Sequence, residues 1–200
     1  MKGTISGVVV LLSTLMIAAG PAPAMWNVDV PHTGIEFTVR HFFTPITGRF
    51  DDYEIELEFD RENPANSTVT VRIDVASVNT GNERRDTHLR SGDFFDADRY
   101  PYITFEAEHV WMTDEGELVA RGPLTIKAET RQIDLPIRIL GVMDVPEEMR
   151  EMLGGVTEIA SFQATLDIDR GDYGVGAGSW ATAMVVGHEV AISIAVEANR

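Results

Sequence analysis

Apolar and polar residues alternate one for one along much of the chain between Tyr53 and Val196. In Tyr53-Glu54-Ile55-Glu56-Leu57-Glu58-Phe59-Asp60 every odd position is apolar and every even one acidic. Successive side chains of a strand point to opposite faces, so this run predicts a strand with one wet and one dry face. The pattern recurs at Val69/Val71/Ile73/Val75, Ile103/Phe105/Ala107 and Leu118/Ala120/Gly122/Leu124/Ile126. It returns at Ile133/Leu135/Ile137/Ile139, Ala160/Phe162/Ala164/Leu166/Ile168 and Val190/Ile192/Ile194/Val196. Many half-buried antiparallel strands need a common place for their dry faces, which a sandwich or a closed barrel supplies.

The interruptions complete the element plan. Trp26–Val28 and Ile35/Phe37/Val39 predict two opening strands around a turn at Pro31–Gly34, and Arg61–Ser67 predicts a hairpin turn. Thr80-Gly81-Asn82-Glu83 has capping-box spacing, so residues 81–91 are expected to form a short polar helix ending at Gly92. Such a helix is marginal alone and must rest on the barrel, as a lid over one end. A second short helical insertion is expected at about 145–153, where Met149 and Met152 would reshape one barrel opening. Gly171–Ser179 reads as a mobile barrel-end loop. No linker or repeat divides the chain, so one domain is expected.

That domain starts after a leader. Residues 1–24 carry Lys2, an apolar stretch and Ala22-Pro23-Ala24, the form of a cleavable signal peptide, which places the mature chain at 25–200 and predicts a periplasmic product. An exported chain without cysteine must rely on packing rather than disulfides. Loss of Lys2 leaves 15 basic against 32 acidic residues, a net charge of −17. Nucleic acid is excluded as a partner on that charge, and stable membrane insertion is not expected. Approach to anionic lipid headgroups is opposed. Much of the acid, including Glu54, Glu56, Glu58, Asp134 and Asp167, falls on outward strand faces, where it serves solubility and protects edges.

Catalytic patterns are poor. His32, His41, His88, His109 and His188 show no metal-ligand spacing, and no serine lies in a nucleophile elbow. The glycines of 171–178 lack the Lys-Ser/Thr ending of a phosphate loop. No catalytic residue, metal or cofactor is assigned, and the chain does not read as an enzyme. Arg84-Arg85-Asp86-Thr87-His88-Leu89-Arg90 has two readings: a cationic mouth for a diphosphate headgroup, or an ion-pair network pinning the helix to the rim. The network is favoured, because charge runs are usually self-paired or solvated.

Longer motifs are more specific. Trp26 to His41, then Gly48-Arg49-Phe50, Ser77-Val78-Asn79-Thr80, Arg85-Asp86-Thr87-His88-Leu89 and Asp93-Phe94-Phe95-Asp96, resemble the YceI-like family. Tyr100 to Phe105, Gly122-Pro123-Leu124-Thr125-Ile126, Ile168 to Gly174 and Gly187-His188-Glu189-Val190 extend the resemblance across the mature chain. Thr33 stands where that family usually has serine, and Ala128 where a turn glycine is common. The resemblance implies an all-β, antiparallel, eight-stranded lipocalin-like barrel that binds polyisoprenoids. It implies a carrier or sequestration role for a polyprenyl or quinone lipid in the lumen, without turnover.

On that reading the candidate lumen residues are Phe37, Val39, Ile55, Leu57, Ile73, Phe105, Leu124, Ile126, Phe162 and Leu166. Headgroup or rim candidates are Arg85, Asp86, His88, His41 and Arg170. Alternation cannot tell a filled interior from an open one, although Ala107, Ala120, Gly122, Ala160 and Ala164 suggest space. Two alternatives stay open: a packed-shut barrel acting as a protein-interaction or stress-response accessory, and a redox accessory using His32, His41 and His88 around a metal or quinone. The partners expected are an isoprenoid lipid or quinone, with a homodimer left open.

Overall fold

A computed structural model describes residues 24–176, 178–182 and 184–200. The leader assigned to 1–24 lies outside the described residues except for Ala24, which opens β1 (Ala24–Val28). The chain continues through β2 (Gly34–His41), β3 (Thr44–Phe50), β4 (Tyr53–Phe59), β5 (Thr68–Asp74) and β6 (Val78–Asn79) to helix α1 (Glu83–Arg90). After it come β7 (Tyr102–Glu106), β8 (His109–Met112), β9 (Leu118–Ile126) and β10 (Glu129–Asp144). Helix α2 (Glu147–Arg150), β11 (Glu158–Asp169) and β12 (Val186–Asn199) complete it.

Eight strands close a barrel in the order β1-β4-β5-β7-β9-β10-β11-β12, with β12 returning to β1. The seam pairs Asn27 with Asn199 and Val28 with Ala198. Strands β2, β3 and β6 extend the wall from β12, and the pairings among the described residues are antiparallel. Period-2 alternation turns Leu57 and Phe59 inward and leaves Glu54 and Glu56 in water, as the sequence pattern requires.

At one end Trp26, Leu57, Phe59, Ala160, Phe162 and Ala198 form a compact cluster. The Trp26 indole N–H donates to the Phe59 carbonyl at 3.0 Å, and Phe59 meets Phe162 edge to face at 5.0 Å. Burial of an indole thus leaves no donor unpaired.

Local expectations needed adjustment. The N-cap of α1 is Asn82, which accepts from the Arg85 amide, rather than Thr80. Thr80 instead bonds Asp86, so its hydroxyl is already committed. The insertion expected at 145–153 is helical only over Glu147–Arg150, with turns following. Met149 and Met152 are exposed there and line neither internal chamber. Gly122 is small for another reason than lumen space: a Cβ there would run into the Glu106 carbonyl, where the chain passes from β7 to β8. At the β9–β10 turn the left-handed residue is Lys127 (φ 56°), one position before Ala128.

Candidate ligand-binding cavity

The barrel is hollow. An upper chamber, toward α1, has an empty volume of about 1150 Å³ with its mouth included. A lower chamber of about 730 Å³ on the same measure lies toward Trp26. Ile35, Val71, Leu135 and Ile194 line both chambers, so the two share a waist. The free wall of the upper chamber is apolar throughout.

Alternation places the candidate lumen residues around this space. Phe37, Val39, Ile73, Phe105, Leu124, Ile126 and Leu166 line the upper chamber. Ile55, Leu57 and Phe162 line the lower one. Sequence reasoning did not single out the waist residues, although Val71, Leu135 and Ile194 lie in the alternating runs that marked the others. Ala120 and Ala164 face the lower chamber, whereas Ala160 packs in the cluster around Trp26.

Two chain segments cover the upper end. Leu89, Phe94 and Phe95 come from α1 and the turn after it, and Tyr173 and Val175 from the turn after β11. Lys127 ties the two together, its Nζ donating to the carbonyls of Phe94 at 2.7 Å and Gly174 at 2.9 Å. Burial holds the Lys127 ammonium below its ordinary pKa, and burial likewise raises the Tyr173 phenol.

Arg170, buried beneath this cover, borders the cavity. Its Nε donates to Gly187 O, its Nη1 to Val175 O and Gly176 O, and its Nη2 to Trp180 O and Val186 O. A guanidinium has five N–H donors, and all five are used on backbone carbonyls. Desolvation lowers its pKa. The segment expected to be a mobile loop is therefore wrapped around a buried cation, starting with a 3-10 turn at Arg170–Tyr173.

The other rim candidates separate. Asp86 is buried and accepts from the Thr80 amide at 2.9 Å and hydroxyl at 2.5 Å. Arg85 bonds the Thr80 hydroxyl and carbonyl at 2.6 and 2.9 Å. His88 meets Asp93 at 3.1 Å and stacks edge-on against Phe94 and Trp180, both at 5.0 Å. His41 is exposed on the β2–β3 hairpin, against Phe42. Most of this polar apparatus binds the protein to itself, so orientation of a ligand falls to cavity shape.

Asp29, His32 and Glu197 bring one donor atom each to within 4.8 Å of one another. His32 Nδ1 lies 3.0 Å from Asp29, whose hydrogen bond raises the imidazole pKa. With the Thr33 hydroxyl bonded to the Glu197 amide at 3.2 Å, the contacts fasten the turn before β2 onto β12.

A closed antiparallel barrel around an apolar lumen has the architecture of the lipocalin-like barrels. The chain belongs to the YceI-like family, whose domain matches residues 26–198. A UPF0312 protein of Vibrio cholerae serotype O1 is 31% identical over 177 residues, 88% of this chain and 89% of that protein. The crystal structure of Campylobacter jejuni YceI superposes with a TM-score of 0.69 at 30% identity, over 78% of this chain and 86% of that one. A polyisoprenoid-binding domain from Saccharophagus degradans shares the fold, with a TM-score of 0.61 at 16% identity, over 88% of this chain and 98% of that one.

Proposed function

We propose that this protein is a non-catalytic carrier that holds one long isoprenoid lipid, a polyprenyl chain or a quinone tail, in the barrel lumen. The observation that carries the reading is the pair of joined chambers inside the barrel, whose free walls are almost wholly apolar. Each methylene-sized unit moved from water into such a wall contributes roughly 0.8 kcal/mol, so affinity needs no directional contact. Family membership and the polyisoprenoid-binding neighbour support the ligand class. The apolar chambers count against the packed-shut alternative, and His32 beside Glu197 and His41 beside Val186 stand at opposite ends of β12, too far apart to share one redox site.

We further infer that residues 1–24 are removed on export, giving a periplasmic protein that begins at Met25. Native mass spectrometry of protein purified from an exporting host, followed by lipid extraction, tests both readings at once. A mass beginning at Met25 with one stoichiometric isoprenoid is expected. Protein that arrives empty and ignores added isoprenoids would overturn the carrier reading, and a retained leader would overturn export.

A further inference from the structure

The β2–β3 hairpin turns through Phe42 and Phe43, with His41 paired to Thr44. Two-residue hairpin turns favour Asn-Gly or Asp-Gly, because the turn asks for positive φ. Here a phenylalanine takes that conformation, with φ 50° at Phe42. Phe43 beside it is 92% exposed. A bulky residue in left-handed backbone and a second ring held in water are two costs that no internal contact of Phe43 repays.

The position of this turn indicates what it meets. Val39 and Val186 line the upper chamber, and His41 pairs with Val186. The Phe42 amide donates to the Val185 carbonyl, with Met184, 78% exposed, next in the chain. An apolar tip therefore projects directly beyond the lumen wall. Charge distinguishes the same region. Residues 37–50 and 173–188 contain no Asp or Glu, in a chain with 32 of them, and do contain Arg40, Arg49, His41 and His188. Arg40 donates to the Phe42 carbonyl and so lies beside the turn. Carboxylates return at the edges of this region: Asp51 pairs with Arg49, Asp169 faces His188 at 3.5 Å, and Glu189 lines a shallow groove with Arg40 and Phe43.

We infer that this tip is a membrane-docking prong: Phe42, Phe43 and Met184 enter the interfacial layer of a lipid bilayer and set the lumen mouth against it. Aromatic rings favour that layer, and the two acid-free segments that form the tip weaken the repulsion that the rest of the surface would exert. The occupant is a bilayer because the neighbouring lumen takes a lipid-sized apolar ligand, which water does not deliver. The inference thus rests on the carrier reading and gives it a site of loading.

Co-flotation with neutral phosphatidylcholine vesicles, alongside isoprenoid loading from detergent, tests it on mature wild type, Phe43→Ser and Phe42→Gly. Phe43 makes too few contacts for its loss to unfold the protein, and glycine suits the left-handed turn. Wild type should float, with each variant's partition coefficient lowered about ten-fold, the effect of withdrawing one ring from an apolar phase. All three should load the same isoprenoid from detergent and stay monomeric by light scattering. Unchanged flotation of the variants, no flotation of wild type, or a dimer that Phe43→Ser dissolves would overturn the prong. Flotation that depends on Phe43 without any isoprenoid loading would keep the prong and remove the carrier reading. Loading without flotation would do the reverse.

Discussion

Gly176 lies so close to Arg170 that a Cβ on it would collide with the Nη1 of the guanidinium. The same glycine has φ +86°, which other residues rarely adopt. The cation and the loop that encloses it therefore depend on each other: the carbonyls converge only because the chain can bend tightly at this position.

Gly176→Ala should lower stability by about 1–3 kcal/mol through left-handed strain and displacement of Arg170. Arg170→Lys should cost at least as much, since three ammonium hydrogens cannot satisfy five carbonyls and each stranded buried acceptor costs about 1–3 kcal/mol. Urea denaturation of both variants measures this. Wild-type midpoints would show that the loop is not organised by the guanidinium.

Ala164 is a buried core residue that also lines the lower chamber, so Ala164→Leu narrows that chamber. Stability should fall by about 1–3 kcal/mol, the usual cost of added volume in a packed interior. The isoprenoid recovered with the variant should be shorter than that from wild type. Mass spectrometry of extracted lipid reads the difference, and identical chain lengths would mean that the lower chamber holds no tail.

Asp86 joins α1 to the Thr80 turn with two short hydrogen bonds at a buried site. Asp86→Ala strands the Thr80 amide and should cost about 2 kcal/mol. Amide exchange should accelerate first across residues 83–90, before the barrel strands. Uniform acceleration would instead make α1 part of the global unfolding unit.

His32 has a pKa raised above 6.5 by Asp29. A folded-state value above the unfolded one means that the imidazolium stabilises the fold below pH 6.5, and this contribution is lost as pH rises through the folded value. The ring is exposed, so the effect is small. Melting temperatures from pH 5 to 8 should fall more for wild type than for His32→Gln. Parallel curves would refute the linkage.

The strands and the identity of the lumen wall were legible because a two-residue period survives in almost every wall strand. Ile55, Leu124 and Phe162 needed only the alternation around them to be placed on the dry face. Whether that face packs shut was not legible, since a hollow barrel and a filled one share the same period. Gly122 illustrates the limit: it reads as lumen space and in fact admits the Glu106 carbonyl. Arg170 was named as a rim residue, but its partners are backbone carbonyls, which carry no residue signature. The cap of α1 fell to Asn82 because a tertiary contact claimed the Thr80 hydroxyl. The Phe42–Phe43 turn lacks every residue that marks a hairpin, so alternation ended there without a turn being readable.

The last strand bonds to β11 along its length, to β2 between Val186 and Ala195, and to β1 at Ala198 and Asn199. Wall closure thus joins residues near 27 to residues near 199, at almost the greatest sequence separation the described chain allows. No partly synthesised chain can complete the ring, and until β12 arrives β1, β2 and β11 keep open edges beside an unsealed apolar interior. Folding should therefore be slow and late, governed by one long-range pairing event. A chain cut short before β12 should be a substrate for chaperones and proteases rather than a smaller barrel.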